Sequence, residues 1–193
     1  MGILQEKSDG YWNYFLALER DIEVLSRYVD FCSANYPTFS LEMARILLAA
    51  GSEADVLLKA ICNREHPASK ASNIGAYFAI VSDVVPHILK FEVCLPRWGI
   101  SLVPWESWSQ ESPPGWWTGY NKVKHHRDDH FQSANLQYVL EAVAAVYVLN
   151  LYWHREAAND GTLVPMPTLY RPGPEQDNGT THNGFEFGIN YKL

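Results

Sequence analysis

Several local signatures of catalysis are missing from this chain. It has no glycine-rich phosphate loop and no His-Glu-x-x-His pattern, which argues against P-loop phosphate chemistry and zincin-type hydrolysis. No serine or cysteine sits in a strand-turn-helix elbow, so a nucleophile would lack its usual support. No run reaches the length of about 18 apolar residues that a membrane span needs, so no membrane partner is expected. Cysteine is scarce. Cys32, Cys62 and Cys94 stand in apolar helical contexts with no two at metal-ligand spacing, as expected of free thiols in a reducing compartment. The opening Met1-Gly-Ile-Leu-Gln-Glu-Lys has no signal-peptide core, and Glu6 stands where myristoylation wants Ser or Thr. Asn178-Gly-Thr matches a glycosylation acceptor, which carries no meaning in the cytoplasmic setting these features predict.

Positive charge is also short. Fifteen Lys and Arg against 22 Asp and Glu leave a net charge of −7 and a pI near 5.4. Non-specific nucleic-acid binding rests on phosphate neutralisation, so the whole body is unsuited to it, although a local basic site remains open. A hydrophobic content of 47% with 19% charged residues is too apolar for disorder. A length of 193 residues suits one domain with a sizeable core.

What the sequence does have is helical periodicity. Tyr11, Phe15, Leu18, Ile22, Leu25, Val29 and Cys32 make one stripe, with Glu19, Arg20, Glu23 and Arg27 off it, predicting a helix to about Ala34. Thr38 or Ser40 caps a second helix whose stripe runs Leu41, Ala44, Leu48, Gly51, Asp55, Leu58 and Cys62. After the loop His66–Asn73 a third helical region extends from Ile74 to about Val93, kinked or split at Pro86. Leu95–Pro114 is irregular, but its Trp98, Trp105 and Trp108 favour a packed lid over a ligand platform. A fourth helix starts near Gly115. A fifth, capped at Ser133 or Asn135, runs to about Glu156 and is apolar nearly all round, as a central helix is. Residues 162–193 are rich in Gly, Pro, Asn and Thr. Thr162–Met166 and Phe185–Tyr191 are extended candidates there, offering a hairpin, or a strand for a protein partner. The expected architecture is all-α: an up-and-down bundle of four to five helices over residues 1–160, with an irregular or β-hairpin arm over 161–193 that is not an independent domain.

The fourth helix gathers the chemistry. Gly115–His130 reads Gly-Trp-Trp-Thr-Gly-Tyr-Asn-Lys-Val-Lys-His-His-Arg-Asp-Asp-His. On a helix Trp117, Asn121 and His125 form one column, and Tyr120, Val123 and Arg127 lie beside it. An amide, an imidazole and adjoining cations suit phosphate binding, and an imidazole moves protons near neutral pH. The plain alternative is a His and an Asn that only bridge neighbouring helices. Two pairs four residues apart, His126 with His130 and His125 with Asp129, are metal-ligand spacings without the further ligands a site needs. Asp55 falls on the second helix's apolar stripe, flanked by Glu53 and Lys59. An isolated carboxylate is costly there, so a partner such as Lys124, Arg127 or His125 is expected.

The segment Tyr120-Asn-Lys-Val-Lys-His125, early in a late helix of a helical chain, resembles the motif region of the HEPN superfamily. That family comprises small helical bundles, many of them metal-independent RNases of toxin–antitoxin, defence and CRISPR systems. Its pattern is an Arg, usually a polar residue, then a His four to six residues after the Arg. Asn121 and His125 match, while Tyr120 stands in the Arg position. The resemblance implies RNA as partner, no cofactor, and a homodimer that pairs its motifs across a two-fold axis. It further implies His125 as acid or base toward a ribose 2′-hydroxyl and Asn121 orienting the phosphate. Lys124 or Arg127 would supply the missing cation, and Tyr120 and Trp117 would line the substrate site. The competing expectation is a non-catalytic helical interaction protein, a degenerate HEPN subunit or an antitoxin-like partner.

Overall fold

The computed structural model describes residues 9–85, 87–183 and 186–193, and these are mostly helical. Among them are six α-helices and five short strands, so all-α is corrected to mostly α with two small sheets. The first helix, α1 (Gly10–Leu25), is capped by Asp9, which accepts the Trp12 amide. It stops nine residues short of Ala34, because Ser26 Oγ donates to the Glu23 carbonyl and the chain turns out through exposed Tyr28. Val29 and Cys32 kept helical spacing by coincidence. Phe31, which the stripe did not include, is the buried residue of that turn and packs on Trp98 at 4.7 Å.

The second helix, α2 (Leu41–Glu65), is capped by Ser40, whose hydroxyl accepts the Met43 amide. Its buried face centres on Leu47, Ala50, Ala54, Leu57 and Ile61. The predicted stripe lies along one edge of that face: Leu41 is 72% exposed, and Leu48 and Asp55 are half-buried. The third helix, α3 (Ile74–Val84), is capped by Asn73 and does not reach Val93. Pro86 lies outside the described residues. Beyond it Phe91, Val93 and Leu95 are buried at every second position while Glu92 and Cys94 are half-buried. That is strand periodicity.

Strand β1 (Val93–Leu95) pairs antiparallel with β2 (Ile100–Leu102), and Gly99 turns between them at φ +62°, where glycine is at ease. Strand β3 (Arg171–Pro172) adds to the other side of β1. The loop before the next helix is packed as expected. Trp105 and Trp108 are buried in mutual contact at 4.7 Å, and Trp105 meets Trp116 edge-on at 5.2 Å.

The fourth helix, α4, covers Gly115–His130 with a break at His126, whose φ and ψ are −143° and 47°. The fifth, α5 (Leu136–Trp153), is capped by Asn135 and buried on nearly every side; its widest packing is against α2. By length and apolarity α5 would pass for a membrane span, yet 78% of it is buried inside the protein. It ends before Glu156 because His154 leaves the helical conformation, and the short α6 (Arg155–Asn159) follows.

The last segment is stitched into this body. Glu19, expected in solvent, is only 2% exposed. Its carboxylate accepts from the Thr168 amide and hydroxyl and from the Leu169 and Tyr170 amides, at 2.8 to 3.2 Å. Trp12 Nε1 donates to the Pro165 carbonyl, and the Tyr147 hydroxyl donates to that of Tyr191. Thr162–Met166 forms no strand. Strands β4 (Asp177–Asn183) and β5 (Glu186–Tyr191) pair antiparallel, while Phe185 lies outside the described residues.

Candidate functional site

Helix α4 is held against α2 by a close approach at Gly51. A β-carbon there would overlap the Tyr120 ring, so the glycine is what lets that ring lie on the α2 backbone. A β-carbon on Gly119 would likewise overlap the Tyr138 ring of α5. Tyr120 is thus buried, and its hydroxyl lies 3.2 Å from Lys124 Nζ, which donates to it and also sits over the ring at 5.3 Å. An aromatic ladder runs down the helix start, Trp116 to Trp117 and Trp117 to Tyr120, each step 5.6 Å between ring centres.

Two hollows flank this rib. The first, of about 300 Å³, is lined by Asp55 of α2, by Ser72, Asn73 and Ile74 at the start of α3, and by Trp117, Tyr120, Asn121 and Lys124 of α4. The second, of about 500 Å³, is lined by Leu48 and by the run Val123–Asp129, which brings in His125, His126 and Arg127. The expected column is therefore divided. Trp117 and Asn121 face the first hollow and His125 the second, with Lys124 common to both. The predicted substrate residues Tyr120 and Trp117 are its buried floor; His125, Lys124 and Arg127 are exposed, and Asn121 is half-buried.

Asp55 lines the first hollow but makes no ion pair with Lys124, Arg127 or His125 among the described residues. Tyr77 of α3 is the neighbour that senses its charge. Burial first, and then the neighbouring Asp55 charge and hydrogen bond, hold the Tyr77 phenol well above its usual range. Glu53, named beside it, is not part of the site. Two residues along a helix turn the side chain by about 200°, and Glu53 is buried on the opposite flank, where burial pushes its carboxyl up to about 6.

Both metal spacings include the helix break at His126. The break at His126 takes it out of line with His130, and among the described residues no group of three His, Cys, Asp or Glu side chains is arranged to hold an ion. A further hollow of about 460 Å³ at the end of α5 is walled by Arg64, Trp153, His154 and Arg155. Arg64 is already engaged there. It stacks on Trp153 at 4.6 Å and donates to the Trp153 and Tyr152 carbonyls, closing the helix end.

Sequence reasoning missed Ser72, Asn73 and Ile74 as walls and Tyr77 as the neighbour of Asp55. Asn73 had a signal, being a cap residue before an apolar helix, but a cap does not reveal what its loop faces. Comparison with protein-family models, with curated proteins and with solved structures finds no match to this chain.

Proposed function

We propose that this chain is a HEPN-like helical bundle that binds single-stranded RNA along α4 and cleaves it without a metal. The observation that carries the reading is the second hollow, where Lys124, His125, His126 and Arg127 share one open cleft, with Asp128 and Asp129 also in its lining. Two cations beside an imidazole suit a phosphodiester: the cations offset its charge and the imidazole moves a proton. In this reading His125 takes the proton of a ribose 2′-hydroxyl, whose oxygen attacks the adjacent phosphorus. The 5′-oxygen leaves and takes up a proton from water, and a 2′,3′-cyclic phosphate remains. Tyr120, in the position of the family's Arg, carries no charge, and Lys124 beside its hydroxyl takes over the electrostatic part. Asn121 holds the nucleotide from the first hollow. The up-and-down order of α1, α2, α4 and α5, and a dimer that pairs two α4 helices, belong to the same proposal.

A second reading, a non-catalytic interaction protein, is favoured by the apolar surface next to Arg127. Leu41 and Phe39 are 72% and 47% exposed, and Phe39 meets Phe131 edge-on at 5.5 Å. Incubation of mixed RNA with the purified protein in EDTA separates the two. Cleavage leaving cyclic phosphate ends is expected from the wild type, and a loss of about a hundredfold or more from His125→Ala. Equal inactivity of both proteins would leave the interaction reading, and cleavage only with added divalent metal would overturn the metal-free one.

A further inference from the structure

We infer that the hollow between α2, the start of α3 and α4 is a guanine pocket, taking a guanine nucleotide with its phosphate over the neighbouring Lys124–Arg127 cleft. The nucleotide is either free or part of an RNA strand; in the second form the inference rests on the RNA reading above. A volume of about 300 Å³ lies at the small end of ligand pockets and suits a single base.

The lining makes the choice of base. Asp55 only accepts hydrogen bonds, so a base that enters this hollow is held best by a neutral edge with two donors. Among the RNA bases, guanine alone presents adjacent donors on its Watson–Crick edge, the N1 hydrogen and the N2 amino group. Cytosine and adenine pair one amino group with an acceptor, and uracil flanks one N–H with two carbonyls. Tyr77 stands beside Asp55, and no ion pair occupies the carboxylate among the described residues, which leaves its lone pairs for the base.

The remaining walls supply donors for the guanine O6 and N7. Asn73 spends its side-chain oxygen on the Ala76 amide at 3.0 Å, so its NH2 group is the part left for a ligand. Lys124 gives one of its hydrogens to Tyr120 and keeps two, and Asn121 adds an amide. Trp117 and Tyr120 form a rigid apolar floor. Lys124 then joins base pocket and phosphate cleft, because it lines both. Single-stranded RNA is read in this manner, by a splayed base that meets aromatic side chains and hydrogen-bonds along its edge.

The test is calorimetric titration with the 3′-monophosphates of guanosine, inosine, adenosine, cytidine and uridine, and with five-residue RNAs carrying or lacking one central G. Guanosine monophosphate is expected to bind on the order of tenfold tighter than the other three standard nucleotides, and inosine monophosphate, which lacks the N2 amino group, more weakly than guanosine. Asp55→Asn should abolish that preference and favour xanthosine monophosphate, whose O2 accepts from the new amide. A merely structural Asp55 would not reverse the preference. Asn121→Ala is the second variant, expected to weaken guanosine monophosphate by several-fold should Asp55→Asn melt early. RNA binding without base preference would overturn the pocket and leave the RNA reading intact. Guanosine monophosphate binding without RNA binding would uphold the pocket as a free-nucleotide site and sink the RNA reading. Binding of neither would overturn both.

Discussion

Glu53 illustrates what one buried carboxyl does to stability. Burial raises it from its ordinary value of 4.5 to about 6, so between those values the folded protein holds the proton more tightly than the unfolded chain does. Stability is then highest below the unfolded value and falls as pH rises through about 6, by a total of about 2 kcal/mol. Glu53→Gln removes the charge and keeps the shape. It should stabilise the protein by about 1–2 kcal/mol at pH 7.5 and leave it unchanged at pH 4, as read from urea unfolding at both values. Equal gains at the two pH values would show that the charge is not what costs. The residue was visible in the sequence only as a neighbour of Asp55. Helical spacing puts the two on different flanks, but nothing local told which flank was dry.

Helices α2 and α4 meet through a glycine and an aromatic ring, and that contact fixes the floor of the first hollow. Gly51→Ala adds a methyl group where the Tyr120 ring already lies. Helix propensity alone would favour alanine by up to about 1 kcal/mol. A net loss of about 1–3 kcal/mol is nevertheless expected, because overpacking a closed contact outweighs that gain. Tyr120→Phe keeps the ring and should cost less than about 1 kcal/mol, since the partner lost is an exposed Lys124. Urea midpoints for the pair check both figures, and a stabilised Gly51→Ala would refute the close approach. At this scale the sequence was informative. The start of α4 near Gly115 follows from period, and cap chemistry narrowed the caps of α2 and α5 to two candidates each, of which Ser40 and Asn135 are the ones used. Helix ends were harder. The α1 stripe continued past Leu25 in spacing alone, and the strand over Val93–Leu95 was split between a helix end near Val93 and an irregular stretch from Leu95, because a short apolar run fits both periods.

Across the whole molecule, α1 and the segment after α6 depend on each other. Glu19 satisfies three consecutive amides and a hydroxyl, and Phe15, Tyr147 and Tyr170 pack around it as a closed aromatic group. Removal of residues 161–193 would strand a buried carboxylate and uncover those rings. The shortened chain is expected to lose cooperative urea unfolding and to bind the dye ANS, as loosely packed states do. A sharp transition with an unchanged midpoint would show that the helices stand alone. None of this was legible beforehand, because the partners of Glu19 lie about 150 residues away and a lone glutamate on a helix reads as solvated. The candidate site was partly legible for the converse reason. Most of its α4 residues are neighbours in the chain, while the walls from α2 and α3 are joined to them only by folding.

That long reach has a consequence for how the protein is made. Glu19 leaves the ribosome well before residues 168–170, by roughly ten to thirty seconds at ordinary translation speeds. During that interval the nascent helices carry an uncovered carboxylate and an open aromatic seam. The growing chain therefore leaves that seam open to misassembly until residues 168–170 are in place.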